Sequence, residues 1–417
     1  MRILFFLYQK EKFIGEHIAG KDGNMSMYYD QEDITFESKD ILETEDYFKE
    51  QKETDEWAMF DKSAATMKGL PGAPILAQTE LDGVDTDITH MQEAMETTKM
   101  LLSYPTKKGV KTAPLADSAW NAVLGRYGVD CTAMNILRDK KNMSILDSEE
   151  KAAFFNVVAA KYKDDQAIVL FRDNMVRYMG SKTYAVLPVY DLFESLSEGL
   201  AEAYPYYNFV ECQSGMEVTR MTFELKSDEL IERIKKYIKK YKKGDAEYSP
   251  MLQFVTSDIG LRSATLYPYI KSGNSEVLLG SSINLVHDSG NTPDMIKGLV
   301  PLIMSLFNDS ADKFEKYSSI QIENVRGCFV NLAKTIVANS VLQKKSVLSF
   351  ADEVVSEYPS GCTALDLYFK LSDCVVYDEA TRKNKYSMNE KLTIQEMLAR
   401  ILNLQNIKDF DHETTQW

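Results

Sequence analysis

The alternation of apolar and polar positions is clearest between Met251 and Gly290. Three runs there have the two-residue period of β-strands: MLQFVTSD, LRSATLYPYI and SEVLLGSSINLVHD. Clusters of Ser, Asp, Gly and Asn separate the runs, and these residues favour turns because they form local hydrogen bonds or adopt positive φ. The pattern predicts an antiparallel meander of three strands, around which we expect the rest of the chain to pack.

The same two-residue period occupies much of residues 166–226, interrupted by a predicted helix at 189–203. The predicted hairpin turns are Asp173-Asn174, Gly180-Ser181 and Ser214-Gly215. Because these strands pair with neighbours along the chain, they indicate an α+β fold rather than alternating βαβ units. We expect one antiparallel sheet of hairpins and a meander across 166–290, packed with helices on one face.

Two helices are predicted within residues 108–162. The first begins at Asp117, ends at Gly128 and presents one apolar side, formed by Trp120, Val123, Leu124 and Tyr127. The second begins at a capping box formed by Asp147 and Glu150. Its predicted core face contains Phe154, Val157 and Val158. A further helix is predicted at 89–104.

The C-terminal part of the chain has the period of helices. Predicted helices lie near 321–339, 346–357, 363–377 and 393–404, and Thr393 with Glu396 gives the last one a capping box. A further helix begins at Thr292-Pro293-Asp294, and Pro301 either kinks it or begins another. The chain therefore divides into an irregular acidic N-terminal region (1–107), an α+β core domain (108–345) and a helical C-terminal region (346–417).

The N-terminal region is rich in carboxylates between Tyr28 and Glu56. The acidic residues are Asp30, Glu32, Asp33, Glu37, Asp40, Glu43, Glu45, Asp46, Glu50, Glu53, Asp55 and Glu56. One interpretation is a solvated arm with a short amphipathic helix. The alternative is a negative surface that binds a basic partner or mimics DNA.

Composition narrows the class of protein. The chain has 417 residues, of which 44% are hydrophobic, and a formal net charge of −15. This charge argues against nucleic-acid binding by the whole surface, but it leaves a local basic patch open.

Five cysteines without a CxxC motif favour reduced thiols in a cytosolic protein. The early apolar run, Ile3 to Tyr8, is too short for a signal peptide and predicts a strand instead.

A lysine-rich helix is predicted at 227–244, between the second hairpin and the meander. Leu230, Ile234, Tyr237, Ile238 and Tyr241 form its apolar stripe. The candidate nucleic-acid-binding residues are Arg233, Lys235, Lys236, Tyr237, Lys239, Lys240, Tyr241, Lys242 and Lys243. The cations would neutralise phosphates and the tyrosines would stack on bases. The alternative is a solvated outer face balanced by nearby carboxylates.

A second candidate cluster contains His287 and Asp288, with Asp258 and Arg262 on neighbouring predicted strands. A histidine flanked by carboxylates has the chemistry of an acid, a base or a metal ligand. The alternative is a histidine at a strand end that makes a local hydrogen bond. The four histidines lack HxH or HExxH spacing, and Gly280-Ser281-Ser282 lacks the phosphate-loop pattern. We therefore predict no cofactor and no catalytic residue.

Five segments together resemble a bacterial family carried by phages and plasmids, described as phage/plasmid-like proteins, which has no established activity. They are DSAWNAVLGRYG (117–128), VRYMGSKTYAVLPVYDLFESL (176–196), VTSDIGLRSATLYP (255–268), INLVHDSGNT (283–292) and LTIQEMLARILNLQNIKDFD (392–411). The resemblance covers about residues 110–411. It implies an accessory protein of a mobile element in a bacterial cytoplasm, but it assigns no functional residue.

Two main hypotheses follow. The first is a non-enzymatic protein associated with the nucleic acid of the mobile element through the helix at 227–244. The second is a protein-binding antagonist or regulator of a host defence system that uses the acidic N-terminal region. An enzyme centred on His287 and Asp288 is the remaining alternative.

No apolar run is long enough for a membrane span.

Overall fold

The computed structural model describes most of the chain after residue 33. The described residues are 34–70, 83–84, 86–129, 146–226, 232, 234, 235, 237, 249–272, 275–337, 342–382 and 385–414. They form an α+β fold of antiparallel sheets and helices with a helical C-terminal region, which confirms the predicted fold class. The predicted strand at Ile3 to Tyr8 lies outside the described residues.

A seven-stranded antiparallel sheet is the centre of the fold. Its strands are β1 (Ile34–Ser38), β8 (Asn208–Gly215), β9 (Thr219–Glu224), β10 (Ser249–Thr256), β11 (Ala264–Ser272), β12 (Ser275–Leu278) and β13 (Ile283–Leu285). The spatial order is β1-β8-β9-β10-β11-β12, and β13 also pairs with β11. The predicted meander is confirmed, although its third run divides into β12 and β13. Gly280, with φ of 93°, lies between these two strands.

Helices cover one face of this sheet. They are α5 (Val189–Ala203), α6 (Met295–Leu299), α7 (Ile303–Ser319), α8 (Val325–Val337), α9 (Lys344–Glu357) and α10 (Ala364–Thr381). Pro301 lies in a 3-10 turn, Val300–Leu302, between α6 and α7. Leu252 and Phe254 of the sheet share one hydrophobic core with Phe314 and Leu365 of the helices. The C-terminal helices are thus part of the main core.

Helix α11 (Met388–Ile401) contacts the opposite face of the sheet as well as the main core. Its Leu392 and Ala399 pack on Met251, Val255 and Tyr267, which alternate along their strands with the residues of the main core. Because successive side chains of a strand point to opposite faces, this contact lies across the sheet from the main core, to which α11 also contributes Ile394, Leu398 and Ile401. The expectation of helices on one face only is therefore wrong.

A second core lies under two smaller sheets. β2 (Glu56–Asp61), β6 (Gln166–Arg172) and β7 (Met175–Ser181) form one sheet, and β3 (Thr66–Gly69), β4 (Met100–Thr106) and β5 (Gly109–Pro114) form the other. Helices α3 (Asp117–Arg126) and α4 (Ser148–Ala159) supply Trp120 and Phe155 to this core. The predicted single sheet across 166–290 is wrong, because β6 pairs outward with β2 from the N-terminal region. The second strand pair predicted around Gly180-Ser181 is also absent among the described residues.

The N-terminal region is regular where the structure describes it. β1 pairs with β8 at the edge of the large sheet, and α1 (Ile41–Thr54) follows it. Asp40 caps α1 by accepting from the Leu42 N–H, and Phe48 is buried in the main core. The expected irregular structure of 1–107 is therefore wrong for these residues. The predicted boundary at 107/108 falls in the turn that joins β4 and β5.

Several helix positions differ from the predictions. The expected helix at 89–104 ends early: α2 (Ile88–Glu96) is followed by Lys99 with φ of 59°, and then by β4. In α4 the capping box of Asp147 and Glu150 is confirmed. Phe154 and Val157, however, are 47% and 64% exposed. Phe155 is fully buried instead, because its ring packs against Tyr127.

Helix α11 begins earlier than predicted. Its capping box is formed by Ser387 and Glu390, so the box predicted at Thr393 and Glu396 is wrong. Strands β14 (Gln321–Ile322) and β15 (Cys362–Thr363) add a short antiparallel pair. No helix among the described residues is long and apolar enough to cross a bilayer.

Candidate functional site

The lysine-rich segment lies mostly outside the described residues. Glu232, Ile234, Lys235 and Tyr237 are described and helical. Ile234 is buried, and Tyr237 is half-buried against the main core, as predicted for the apolar stripe. A tyrosine held against the core is not presented for stacking on a base. The candidates outside the described residues are Arg233, Lys236, Lys239, Lys240, Tyr241, Lys242 and Lys243.

The structure brings together only part of the predicted histidine cluster. The His287 Nδ1 donates to the Ala185 carbonyl at 3.1 Å, and the imidazole stacks on Tyr184 with a centroid separation of 5.0 Å. Tyr184 donates through its hydroxyl to the Asp258 carbonyl at 2.9 Å. Burial lowers the pKa of His287, although the Ala185 carbonyl and Asp258 oppose this effect. A neutral imidazole with a local hydrogen bond fits the second interpretation of His287, a histidine at a strand end, rather than an acid, a base or a metal ligand.

The other two members of that cluster have different partners. Asp288 is exposed and accepts from the adjacent Ser289 N–H at 2.8 Å. Arg262 reaches α11 instead, where it donates to Asn389, Thr393 and Glu396. The four groups therefore do not converge on a common reaction centre.

Asp258 belongs to a buried ionic cluster that sequence reasoning missed. Arg172 donates through Nε and one terminal nitrogen to Asp55 at 2.6 and 2.5 Å, and to Asp258 at 2.7 Å. The side chains of all three residues are at most 14% exposed. Burial raises the pKa of Asp55, whereas Arg172 acts to lower it. The cluster joins the sheet containing β6 to the turn that follows β10, so its role is structural.

The described residues give little evidence for a metal-binding site or for a nucleophilic cysteine. These residues contain no group of three or more His, Cys, Asp or Glu side chains placed to hold a metal ion. The four cysteines among them are buried, and Cys212, Cys328 and Cys374 are free thiols, whereas Cys131 lies outside. Burial raises the pKa of Cys328 and of Cys374 to about 12, which disfavours the nucleophilic thiolate.

Helix α1 carries a stripe of carboxylates. The exposed acidic residues are Glu43, Asp46, Glu50 and Glu53. At 100° per residue they fall within an arc of about 80° of the helix surface. The opposite side of α1 faces the protein interior, where Phe48 is buried, and Tyr47 at the edge of the stripe stacks on Phe36 at 3.9 Å. The core contact thus fixes the direction in which the carboxylates point.

Helix α5 carries a second stripe of carboxylates. Its acidic residues are Asp191, Glu194, Glu198 and Glu202. They also fall within an arc of about 80°. Lys52 of α1, which lies outside the α1 stripe, pairs with Asp191 at 2.5 Å, which shows that the two helices are neighbours. We call these two stripes, with four carboxylates on each helix, the acidic surface.

Lysines neutralise only part of this surface. Lys297 pairs with Glu202 at 2.7 Å and with Glu198 at 3.4 Å, and these carboxylates raise its pKa. Lys52 is paired with Asp191, and Lys49 is exposed on α1. Among the described residues, three lysines therefore accompany these eight carboxylates, which leaves a net negative charge there. The sequence indicated the α1 half, whereas the α5 half was missed although its acids recur with helical spacing.

Comparison of the chain with protein-family models, with curated proteins and with solved structures finds no match. The resemblance to phage/plasmid-like proteins thus stays a prediction. The evidence for the candidate site is therefore the geometry of this chain alone.

Proposed function

We propose that this protein binds a basic partner protein through the acidic surface. The observation that carries the proposal is a stripe of four carboxylates on each of two neighbouring helices that the core holds in place. A fixed array of like charges provides electrostatic complementarity to a basic protein face, which accelerates encounter and selects the partner. Within the context implied by the resemblance, the protein would be a cytoplasmic antagonist or regulator of a host defence system.

The arrangement of charge favours binding over simple solvation. Like charges spaced three or four residues apart on one helix are destabilising by about 0.2–0.5 kcal/mol per pair. Both of these neighbouring helices accept this repulsion. A partner that supplies lysine or arginine side chains would relieve it. The same array also suits the hypothesis that the surface mimics DNA.

Charge reversal on α1 tests the proposal. The variant Asp46→Lys, Glu50→Lys, Glu53→Lys changes exposed side chains only and leaves Phe48 in the core. A matched control, Asp309→Lys, Asp312→Lys, Glu315→Lys, makes the same change of charge on exposed positions of α7. Tagged wild-type and variant chains are used for affinity purification from a bacterial host, with and without nuclease, followed by quantitative mass spectrometry.

We expect a basic protein to be retained by the wild type and the control after nuclease treatment, and lost from the α1 variant. Raising the salt concentration should weaken its retention, because the contact is electrostatic. If every captured protein is retained equally by the α1 variant, the proposal is wrong.

Nucleic-acid association through the segment at 227–244 stays a prediction. The described part of the segment supports its anchoring, since Ile234 is buried in the main core. The nuclease arm of the same experiment tests it: partners that nuclease removes from both the wild type and the α1 variant would favour this second function.

A further inference from the structure

The outward side of helix α4 carries two large apolar side chains, Phe154 and Val157, which are 47% and 64% exposed. Because they are three residues apart, they are neighbours on the helix surface. The exposed Ala153 and Ala160 lie beside them and extend the apolar area. Single exposed apolar residues are common on proteins, whereas a continuous apolar strip along one helix favours a binding surface.

Contacts with the second core hold this strip in its outward direction. The Asn156 side chain accepts from the Met67 N–H at 2.7 Å and donates to the Met67 carbonyl at 2.8 Å, which joins α4 to β3. A rotation of α4 that buried Phe154 would break both hydrogen bonds. The residues that α4 buries, on the side opposite the strip, are Lys151, Ala152, Phe155 and Ala159.

Opposite charges lie at the two ends of the strip. Glu150 precedes Phe154 by four residues, Lys161 follows Val157 by four, and both charged side chains are exposed. At 100° per residue, all four fall within an arc of about 60°. Ala160, the C-cap of α4, keeps a helical conformation, so Lys161 continues the line of the helix. We call Glu150, Phe154, Val157 and Lys161 the α4 stripe.

We propose that the α4 stripe binds a second copy of this chain. The two α4 helices lie antiparallel across a two-fold axis that passes between residues 155 and 156. Phe154 then packs on Val157 of the partner subunit, and Glu150 pairs with Lys161 of the partner subunit. Each contact occurs twice, as the symmetry of an isologous interface requires.

The order of the side chains in the stripe favours a second copy over a foreign partner. Read backwards, the sequence carboxylate, apolar, apolar, ammonium is its own electrostatic complement. A basic partner would match only the Glu150 end, and an acidic partner only the Lys161 end. The stripe lies on a helix of the second core, whereas α1 and α5 pack on the main core. The proposal is therefore independent of the acidic surface.

Replacement of the apolar pair tests the interface on the full chain by analytical ultracentrifugation. We expect the wild type to form a reversible dimer at about 100 μM, because a small interface gives modest affinity. Phe154→Ser with Val157→Ser should weaken dimerisation about tenfold or more, since the buried apolar area is lost. A matched control, Leu42→Ser with Val376→Ser, changes helix residues that are 66% and 43% exposed. It should dimerise like the wild type.

Circular dichroism and thermal unfolding establish that each variant is folded, which we expect because the replaced side chains are exposed. A wild type that is monomeric at this concentration would overturn the proposal. A dimer that the Phe154→Ser, Val157→Ser variant leaves intact would overturn it as well, because the contact would then lie elsewhere.

Charge reversal tests the antiparallel arrangement. Glu150→Lys and Lys161→Glu each place like charges at both ends of the interface, and each should weaken dimerisation. An equimolar mixture of the two variants places opposite charges at both ends again, so a mixed dimer should recover the lost affinity. Lys163→Glu, an exposed change outside the stripe, is the matched control for charge and should dimerise like the wild type.

The Glu150→Lys variant also loses a capping contact, since Glu150 accepts from the Asp147 N–H at 2.9 Å. Lys161→Glu leaves this contact intact, so it measures the charge pair without a change to the helix start. Wild-type dimerisation of Lys161→Glu would overturn the proposed pairing. A mixture that associates no more strongly than either folded variant alone would overturn it too.

Discussion

His287 shows how the surroundings of one residue decide its charge. Its ring is stacked on Tyr184 and hydrogen-bonded to Ala185, and burial lowers its pKa. The folded protein therefore favours the neutral imidazole, whereas the unfolded chain binds a proton below about pH 6.5. By linkage, the stability that this residue contributes is present above about pH 6.5 and is lost as the pH falls towards the lower folded pKa.

The variant His287→Phe tests this pH dependence. Phenylalanine keeps the stacking on Tyr184 but cannot be protonated. We expect the free energy of unfolding of the wild type to fall between about pH 6.5 and pH 5 more steeply than that of the variant. Urea denaturation at several pH values measures the difference. Equal slopes in the two proteins would show that His287 is not a source of the pH dependence.

Residues whose structure depends on local chemistry were predicted well. Asp173 and Asn174 were assigned to a two-residue turn, and both have positive φ, at 49° and 55°. Asp and Asn tolerate this conformation better than other residues with a side chain. Phe154 and Val157 were placed in the core by their apolar character alone, yet both are exposed. Which side of a helix is buried depends on its neighbours, and the sequence of α4 does not contain them.

Helix α11 shows how tertiary contacts select among helix starts of equal sequence quality. Ser387 with Glu390 and Thr393 with Glu396 both fit the capping-box pattern. The first pair caps the helix, whereas Thr393 and Glu396 accept hydrogen bonds from Arg262. Arg262 lies on the approach to β11, far away in the sequence. A pattern of four residues cannot distinguish the two positions.

Ser387→Ala should destabilise the protein by about 1 kcal/mol, because the Glu390 N–H loses its capping acceptor. The control is Ser356→Ala on α9, an exposed position where the hydroxyl donates only to the Asp352 carbonyl of its own helix. Chemical denaturation measures both variants. A loss in Ser387→Ala no greater than that of the control would contradict the assigned helix start.

The whole molecule depends on pairings between distant parts of the chain. The sequence predicted the hairpins β6–β7 and β8–β9 and the meander, since a two-residue period and a turn are sufficient to define them, but it assigned part of the β4–β5 hairpin to a helix. It could not predict that β2 completes the sheet of β6 and β7, because strand pairing across such separations leaves no periodic signal. The acidic surface was half-predicted for the same reason: α1 was identified as acidic, but its contact with α5 arises only in the fold.

The ionic cluster of Asp55, Arg172 and Asp258 tests the connection between the two cores. Arg172→Met leaves two buried carboxylates without their cation, and we expect a loss of about 3–5 kcal/mol in the free energy of unfolding. Adding Asp55→Asn and Asp258→Asn to this variant should recover part of the loss, because uncharged amides tolerate burial better. If the triple variant is less stable than Arg172→Met alone, unpaired charge is not the cause of the loss.

The pairing of β1 with β8 has a consequence for biosynthesis. Thr35 and Ser214, which are hydrogen-bonded across these strands, are 179 residues apart in the chain. At ribosomal rates, synthesis of the residues between them takes on the order of 10 s. During this time β8 does not yet exist, so β1 and α1 cannot pack against the large sheet. Because the carboxylates of α1 are charged and repel one another, we expect them to keep β1 and α1 hydrated until β8 has been synthesised. The same charges that we propose for partner recognition would thus protect the nascent chain from premature association.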